Sequence, residues 1–273
     1  MRIYKHKPFG PVNAFELGWS PVGRPIMTVH LYIIGRVMID TGLRHMRGAA
    51  CAVARRHGVR AVLLTHYHED HSGNAAAIKE RLDIPVYASP LTCRKMEHPT
   101  RIFPYQHLMW GTADPLTPAP LPEVFNENGF SFVPIHTPGH SKDHTVFLEP
   151  REGWLFSGDL YLSDRIKYFR ADENIADQIK SLRRVLAYDF NTLFCAHRPE
   201  IVNGRQSLTR KLDYLENFYG SVAQLAGQGM DQDRIMRQLR LKEVLSIKLM
   251  CFGNVSMKNM VRSVIKTRGE VTV

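Results

Sequence analysis

Continuous and alternating apolar runs predict a series of short strands in the first two thirds of the chain. Residues 29–40 (VHLYIIGRVMID) predict two strands that are joined by a turn at Gly35-Arg36. Residues 59–65 (VRAVLLT) are a continuous apolar run with the length of a buried strand. Further strands are predicted at 84–88, 130–135, 145–148, 154–156 and 192–195. Helical spacing at 45–57, 74–82 and 175–186 separates these strands, which is typical of an α/β fold.

The last quarter of the chain has a purely helical pattern. Apolar residues from Leu208 to Leu225 recur on one helix face, and Asp231 and Ser256 stand where they can cap a second and a third helix. We therefore expect an α/β domain at residues 1–204 and a C-terminal helical extension at residues 205–273.

The segment from Pro99 to Pro122 interrupts the pattern of strands and helices. It contains six prolines and several aromatic residues without any periodicity. Because proline disrupts both helices and sheets, this segment is predicted to have no regular structure. Long irregular segments in compact domains are often lids or binding loops, and we expect that role here.

Hydropathy and cysteine spacing indicate the cell compartment in which the protein is expected. No apolar stretch approaches the roughly 20 residues of a membrane-spanning helix, and residues 1–23 lack the apolar run of a signal peptide. We therefore expect a cytoplasmic protein that does not cross a membrane. The cysteines lie far apart in the chain and are expected to be reduced. They are Cys51, Cys93, Cys195 and Cys251.

The net charge of +10 raises the question of a nucleic-acid partner. Residues 205–273 hold 12 Lys and Arg against 6 Asp and Glu, so +6 of the excess lies in the extension. These charges are spread along helical patterns instead of forming runs. That spacing favours a solvated helix face, or attraction to an anionic small-molecule substrate, over nucleic acid. The sequence leaves the oligomeric state open.

Polar side chains follow several of the predicted strands directly. Residues 66–71 (HYHEDH) come after the strand at 59–65, and three single residues follow later strands. Because strand ends meet at one edge of an α/β sheet, these side chains are expected to converge. The candidate metal ligands are His66, His68, Asp70, His71, His140, Asp159 and His197.

The spacing within residues 66–71 suits two ions. In an extended loop, His66 and His68 project to the same side and can share one ion, while Asp70 and His71 can serve a second. Imidazole and carboxylate ligands without thiolate fit zinc, iron or manganese. We therefore expect two divalent metal ions per chain, with Zn²⁺ the first candidate and iron or manganese as alternatives.

The same residues resemble the signature HxHxDH of the metallo-β-lactamase-fold hydrolases. Asp40-Thr41-Gly42 resembles the family's early Asp-Thr-Gly, and residues 136–141 (HTPGHS) resemble its TPGH loop. Phe156-Ser157-Gly158-Asp159 resembles its SGD strand end, and His197 has the position of its last histidine. The resemblance implies an αββα sandwich of two mixed sheets with helices outside, with the C-terminal extension covering or flanking the active site.

The resemblance also assigns roles to the ligands. It implies that His66, His68 and His140 bind the first ion, and that Asp159 bridges both ions. The second ion is then bound by Asp70, His71 and His197, and Asp70 also acts in catalysis by orienting the attacking hydroxide.

Other residues near these motifs are given supporting roles. The resemblance implies that Asp40 steadies the metal loop by hydrogen bonds without binding an ion. His144 is expected either to support the ligands in the same way or to be an ordinary strand residue, and Glu69 to face solvent.

The substrate-binding residues are chosen for their aromatic side chains alone. Tyr161, Tyr105 and Trp110 are candidates for the wall of the substrate pocket, with burial in the core as the alternative for each.

The expected reaction is hydrolysis of a small ester, thioester, lactone or phosphodiester by a hydroxide that bridges the two ions. Asp159 resembles the glyoxalase-II, lactonase and phosphodiesterase branches, and it argues against a true β-lactamase. Lys167-Tyr168-Phe169 is out of register for a glutathione thioesterase, and Leu162 replaces the tyrosine of lactonases. The alternatives are a nuclease of the same fold and an iron-dependent persulfide dioxygenase.

Overall fold

The computed structural model describes residues 1–99, 101–199 and 201–272, in which two β-sheets pack face to face with helices on their outer sides. The first sheet has its seven strands in chain order. They are β1 (Arg2–Phe9), β2 (Val12–Trp19), β3 (Val29–Ile34), β4 (Val37–Ile39), β5 (Ala61–Leu63), β6 (Val86–Ala88) and β7 (Ala119–Pro120). The strands β1 to β4 pair antiparallel and β4 to β7 pair parallel.

The second sheet contains five strands, and a small pair of strands lies apart from it. The five are β8 (Phe125–Glu127), β9 (Phe130–His136), β10 (Thr145–Glu149), β11 (Trp154–Gly158) and β13 (Thr192–Cys195). Their order across the sheet is β13-β11-β10-β9-β8, and only the β11/β13 pair among them is parallel. The small pair joins β12 (Phe169–Arg170) to β14 (Val255–Ser256), which ties the extension to the loop that follows Asp159.

Ten α-helices and one short 3-10 helix (Arg44–Met46) complete the described part of the chain. Six belong to the body: α1 (Arg47–Arg56), α2 (Glu69–Ser72), α3 (Ala75–Leu82), α4 (Pro90–Glu97), α5 (Pro104–Met109) and α6 (Ile175–Leu186). The extension contains α7 (Gly204–Gly227), α8 (Gln232–Gln238), α9 (Leu245–Met250) and α10 (Met257–Lys266). The αββα sandwich with C-terminal helices is therefore confirmed, as are the helix caps at Asp231 and Ser256, whose side chains accept from backbone amides.

Aromatic side chains from both sheets fill the space between them. Tyr32 of β3 packs against Phe156 and Phe194 of the second sheet, with ring centroids 5.5 Å and 5.4 Å apart. Phe156 and Phe194 stack at 5.0 Å, and Phe132 is fully buried beside them. Each buried ring contributes about 1.5–3 kcal/mol relative to exposure, so this layer holds the strand ends, and with them the polar loops, in fixed positions.

The extension shares a hydrophobic core with the second sheet. Leu208 and Leu215 of α7 and Val261 of α10 are fully buried in one cluster with Leu155 of β11 and Ile179 of α6. The amphipathic pattern of the extension is thus explained by packing onto α6 and the sheet. The division into residues 1–204 and 205–273 stays a prediction.

Two parts of the fold differ from the expectation. The sequence pattern did not predict the hairpin of β1 and β2, because β1 is exposed almost throughout and does not alternate between buried and exposed residues. The prediction of no regular structure between Pro99 and Pro122 is wrong, since this segment contains α5 and β7. Pro104 occupies the first turn of α5, where a missing N–H costs nothing, so proline here begins a helix. Thr100 lies outside the described residues.

No helix in the described part of the chain is both long and apolar enough to cross a bilayer.

Candidate metal centre

The first group of candidate ligands gathers three imidazole nitrogens and one carboxylate oxygen. His66 Nε2 and His140 Nε2 lie 2.9 Å and 3.0 Å from His68 Nδ1. His140 Nε2 is also 3.2 Å from Asp159 Oδ2. Ligands that share one zinc ion at about 2.1 Å are separated by roughly 3–3.5 Å, so these atoms have the spacing of one coordination sphere.

The second group meets the other oxygen of the same carboxylate. His71 Nε2 and His197 Nε2 each lie 3.3 Å from Asp159 Oδ1. Asp70 Oδ2 is 3.5 Å from His197 Nε2 and 3.9 Å from His71 Nε2. Asp159 thus offers one oxygen to each group, which is the position of a bridging ligand, and all seven predicted ligands are brought together.

His71 and His197 each use Nδ1, on the outer side of the ring, for a hydrogen bond. This leaves Nε2, on the inner side, available to bind an ion. His71 Nδ1–H donates to Asp40 Oδ2 at 2.7 Å, and His197 Nδ1–H donates to the Thr28 carbonyl at 2.7 Å. The inner atoms His71 Nε2 and Asp159 Oδ1 are buried and have no hydrogen-bond partner in the described chain. Unpaired buried acceptors are costly, and two divalent cations would satisfy them, so the residues present fit a dinuclear site.

The electrostatics of the cluster agree with this fit. Burial, and then the neighbouring histidines, hold the pKa of His66 well below its usual value, which keeps the ring neutral as a ligand must be. Burial alone would also lower the pKa of His71, but Asp159, Asp40 and Asp70 raise it well above the usual range. The second group is therefore a strongly negative environment that favours a cation.

Asp40 anchors the metal loop without pointing into either group. Its Oδ1 accepts from the Thr65 amide at 2.8 Å and its Oδ2 accepts from the Thr65 hydroxyl at 2.8 Å. Asp40 also has a left-handed backbone (φ 57°), a conformation that is costly for residues other than Gly and Asn. Asp40 thus lies behind His71 and belongs to neither group of candidate ligands.

His144 supports the bridging carboxylate from behind. The Asp159 amide donates to His144 Nε2 at 3.0 Å, and His144 Nδ1 lies 2.8 Å from the Thr137 hydroxyl. Of the two alternatives, the structure therefore places His144 against a ligand. Gly158 is required between them, because a Cβ on this residue (φ 47°) would lie 2.8 Å from His144 Nε2.

Asp143 is a supporting residue that the sequence did not reveal. Its fully buried carboxylate accepts from the Tyr67 amide at 3.0 Å, the Thr92 hydroxyl at 2.9 Å and Lys95 Nζ at 2.9 Å. Through Tyr67 it fixes the backbone beside His68. The feature of the sequence that could have pointed to Asp143 is its position between His140 and His144.

The expectation that Glu69 faces solvent is wrong. Glu69 is 5% exposed, and Gln106 Nε2 of α5 donates to its carboxylate at 3.4 Å. Burial raises the pKa of Glu69 to about 7. The residue turns inward because residues 69–72 form the helix α2, a turn that an extended loop does not anticipate.

Five of the seven candidate ligands form the floor of a cavity of about 170 Å³, namely His68, Asp70, His140, Asp159 and His197. Tyr105 and Trp110 line this cavity, and their role in substrate binding stays a prediction. Tyr161 lies elsewhere: it is buried in the core beneath the extension, and its hydroxyl donates to Asp164 at 2.7 Å. Its aromatic ring follows Asp159 by two residues, but the turn after β11 directs it away from the ligands.

The walls of the cavity are mostly apolar and come largely from segments without a recognisable motif. The loop before β3 contributes Ile26 and Met27, and α9 contributes Ile247 and Met250. Further apolar lining residues are Met109, Leu162, Ile166, Tyr168, Phe169, Cys251 and Val255. One wall of the cavity is therefore formed by α9, a helix of the extension.

Besides the candidate ligands, four polar side chains interrupt the apolar lining: Lys211, Arg170, Glu173 and Gln178. Lys211 of α7 is 2% exposed, and its Nζ donates to the Leu160 carbonyl at 2.6 Å. Burial lowers the pKa of Lys211 to about 8. Arg170 also lines the cavity and is paired with Asp172, with Nε and Oδ1 3.2 Å apart. Lys211 and Arg170 were both missed, because neither has a motif around it.

Known proteins resemble the chain in both sequence and fold. The metallo-beta-lactamase superfamily model matches residues 29–197. An Aspergillus fumigatus protein named atrochrysone carboxyl ACP thioesterase is 27% identical over 212 residues, which cover 72% of this chain and 59% of that protein. The probable metallo-hydrolase YybB of Bacillus subtilis is 30% identical over 185 residues, covering 60% of this chain and 76% of that protein. The chain spans about three fifths of the length of several such relatives, the thioesterase among them.

A solved structure shares the fold over nearly the whole chain. The beta-lactamase domain protein from Burkholderia ambifaria has a TM-score of 0.71 at 18% identity, and the match covers 98% of this chain and 89% of that chain. Because the family model matches more than half of the chain and spans every motif that supplies a candidate ligand, the chain belongs to the metallo-beta-lactamase superfamily.

Proposed function

We propose that this chain is a metal-dependent hydrolase that cleaves an ester or thioester whose acyl group is apolar. The observation that carries the proposal is the cavity itself, which has the ligand cluster at its floor and mostly apolar walls above it. An acyl chain of matching shape would be bound by burial of its methylene groups, each contributing about 0.8 kcal/mol. The scissile carbonyl would then lie at the floor, beside the ligands.

The ligand roles follow the two groups. His66, His68 and His140 would hold one ion, and His71, His197 and Asp70 the other. Asp159 would bridge them through its two oxygens. Bound divalent ions supply an activated water and polarise the scissile carbonyl; zinc is the first candidate, with iron and manganese as alternatives.

The residues of the chain would position this chemistry. Asp70 would accept a hydrogen bond from the attacking water and hold it in line with the carbonyl carbon. Asp40 keeps the Nε2 lone pair of His71 directed inward, because it accepts a hydrogen bond from the protonated Nδ1. The apolar walls exclude other water, which strengthens the polar interactions at the floor.

A thioester is the bond that the relatives support best. The Aspergillus fumigatus relative is named for thioester cleavage on an acyl carrier protein. Its similarity extends over 72% of this chain, whereas this chain spans 59% of that protein. The proposed substrate is therefore an acyl thioester in general, and a thioester linked to a carrier protein is one example of it.

The two alternative activities are less well supported by the site. A nuclease needs several cations along its channel to contact phosphates, whereas this cavity offers Lys211 and Arg170 amid apolar residues. A persulfide dioxygenase uses a single iron, whereas two complete ligand groups are present here. Lactones and phosphodiesters remain as comparison substrates.

The test is a substrate panel with protein loaded separately with zinc, manganese and iron. We expect acyl thioesters and p-nitrophenyl esters with four to eight acyl carbons to be cleaved faster than bis(p-nitrophenyl) phosphate, a lactone or RNA. Thioester turnover should disappear in Asp70→Asn and survive in Asp177→Asn, an N-terminal residue of α6 that does not line the cavity. Preference for the phosphodiester or RNA, or no turnover of any acyl substrate by metal-replete protein, would contradict the proposal.

A further inference from the structure

Large apolar side chains are exposed around the mouth of the cavity. Three segments that line the cavity with some of their residues carry others on their outer sides: the loop at 20–28, the region of α5, and α9 with the residue after Cys251. We call the outward set the mouth surface. It consists of Val22, Phe103, Leu108, Leu245, Leu249 and Phe252.

The exposure of these residues is high for their size. Val22 is 85% exposed, Leu249 75% and Phe252 69%. The helix α9 shows the arrangement most clearly, because Ile247 and Met250 line the cavity while Leu245 and Leu249 point to the outside. A helix that is apolar on both sides is stabilised when its outer side also leaves water.

Each of the three segments also carries an exposed cation. Arg24 lies in the loop, Arg101 precedes α5 and Lys242 precedes α9. None of the three has an ion pair or hydrogen bond with another residue that the structure describes, whereas Lys180, Arg183 and Lys258 elsewhere on the surface pair with acidic side chains. The mouth surface is thus apolar at its centre with unpaired positive charge beside it.

We propose that the mouth surface docks onto an anionic lipid surface and takes its acyl substrate from it. Apolar side chains that enter the headgroup region, together with cations that contact anionic headgroups, are the two contributions that bind peripheral proteins to membranes. The cavity opens at this surface, so an acyl chain can pass from the lipid phase to the ligand cluster without crossing water. The proposal rests on the proposed acyl hydrolase for its substrate, but not for the docking itself.

Two other occupants fit this surface less well. In a symmetric dimer formed through the same patch, the cations of one copy would lie close to those of the other copy and repel them. These cations are Arg24, Arg101 and Lys242. An acidic carrier protein would match the cations, but its polar surface would leave most of the exposed apolar side chains without an apolar partner. A lipid surface matches both features.

Vesicle binding tests the proposal directly. Metal-replete protein should co-sediment with vesicles of phosphatidylglycerol and bind phosphatidylcholine vesicles at least about tenfold more weakly, with binding to the anionic vesicles weakened by salt. The double variant Leu249→Glu/Phe252→Glu should lose about tenfold or more of the binding, because two inserting side chains become charged. The matched control is Val124→Glu/Tyr188→Glu, which changes exposed apolar residues that do not line the cavity and should bind like the unaltered protein.

Three further readouts keep the outcomes separate. Thermal melting and metal content establish that each variant is folded. Asp70→Asn, which should lack hydrolytic activity, is expected to bind vesicles like the unaltered protein, so failure of the hydrolase proposal and failure of docking are distinguishable. Absence of vesicle binding would overturn the inference, and so would binding that both double variants lose equally. A dimer in gel filtration that Leu249→Glu/Phe252→Glu converts to a monomer, without vesicle binding, would assign the surface to a second copy instead.

Discussion

Asp40 Oδ2 accepts a hydrogen bond of 2.7 Å from His71 Nδ1, and this contact fixes the ring whose other nitrogen belongs to the second ligand group. The substitution Asp40→Asn keeps the size of the side chain but removes the charge behind His71. We expect metal affinity to fall about 10–100-fold, as for other lost partners of metal-binding histidines. Chelator competition with metal analysis measures the change.

Asp83 provides the control for that prediction. It has a left-handed backbone like that of Asp40 (φ 52°), but it is exposed at the end of α3 and belongs to neither group of candidate ligands. Asp83→Asn should leave metal affinity unchanged. Equal losses in both variants would mean that backbone strain, and not the contact with His71, determines affinity.

The bridging position of Asp159 gives a prediction about stoichiometry. Burial alone would raise the pKa of this carboxyl, but His197, His71 and His140 hold it well below the usual value, so it is an anion. Asp159→Ala removes one oxygen from each ligand group, and we expect bound metal to fall from two ions per chain to one or fewer. Inductively coupled plasma mass spectrometry on the purified protein measures this number.

A nearby carboxylate serves as the matched comparison for Asp159. Asp164 lies five residues further on and pairs with Arg210 instead of facing the ligand cluster. Asp164→Ala should retain two ions per chain. If Asp159→Ala also retained two, the bridging role would be wrong.

Burial of Lys211 predicts a pH-dependent contribution to stability. Its pKa is lowered to about 8 in the folded protein, from about 10.4 when unfolded, so the unfolded chain binds more protons between these values. Stability therefore rises with pH in this window, by roughly 3 kcal/mol in total for this group. Lys211→Met removes the contribution, so the unaltered protein should gain stability relative to the variant as the pH rises from 8 to 10.5 in urea unfolding.

The control for Lys211 is an exposed lysine. Lys180 is 46% exposed in its side chain and pairs weakly with Glu270 on the surface. The stability difference between Lys180→Met and the unaltered protein should change little over the same pH range. A difference for Lys211→Met that is equally flat would show that this lysine is not desolvated.

The two sides of α9 allow a test of the cavity as an acyl site. Met250 lines the cavity, and Leu249 next to it points outward. Met250→Trp should reduce kcat/KM for an octanoyl thioester about tenfold or more by filling the space of several methylene groups, each contributing about 0.8 kcal/mol. It should affect an acetyl thioester much less. Leu249→Trp should change neither for soluble monomeric substrates, and equal losses for both chain lengths in Met250→Trp would contradict the acyl site.

The sequence by itself was sufficient to identify the seven candidate ligands, and its resemblance to a known family predicted the αββα sandwich. Residues 66–71 follow the strand of 59–65 directly, and an apolar run of this kind is buried for reasons that do not depend on distant residues. His140, Asp159 and His197 follow strands in the same way, so local pattern was sufficient to place all seven candidates near one another.

Only the tertiary structure decided how the site is supported and enclosed. Glu69 turned inward and Tyr161 turned into the core because their directions depend on the helix α2 and on the turn after β11. The polar contacts of Asp143 and Lys211 join residues that are far apart in the sequence, and no local periodicity encodes such contacts. The sequence did not reveal the apolar wall formed by α9 for the same physical reason. A six-residue helix has too little periodicity to show which of its sides is buried. Its neighbours across the cavity determine the buried side.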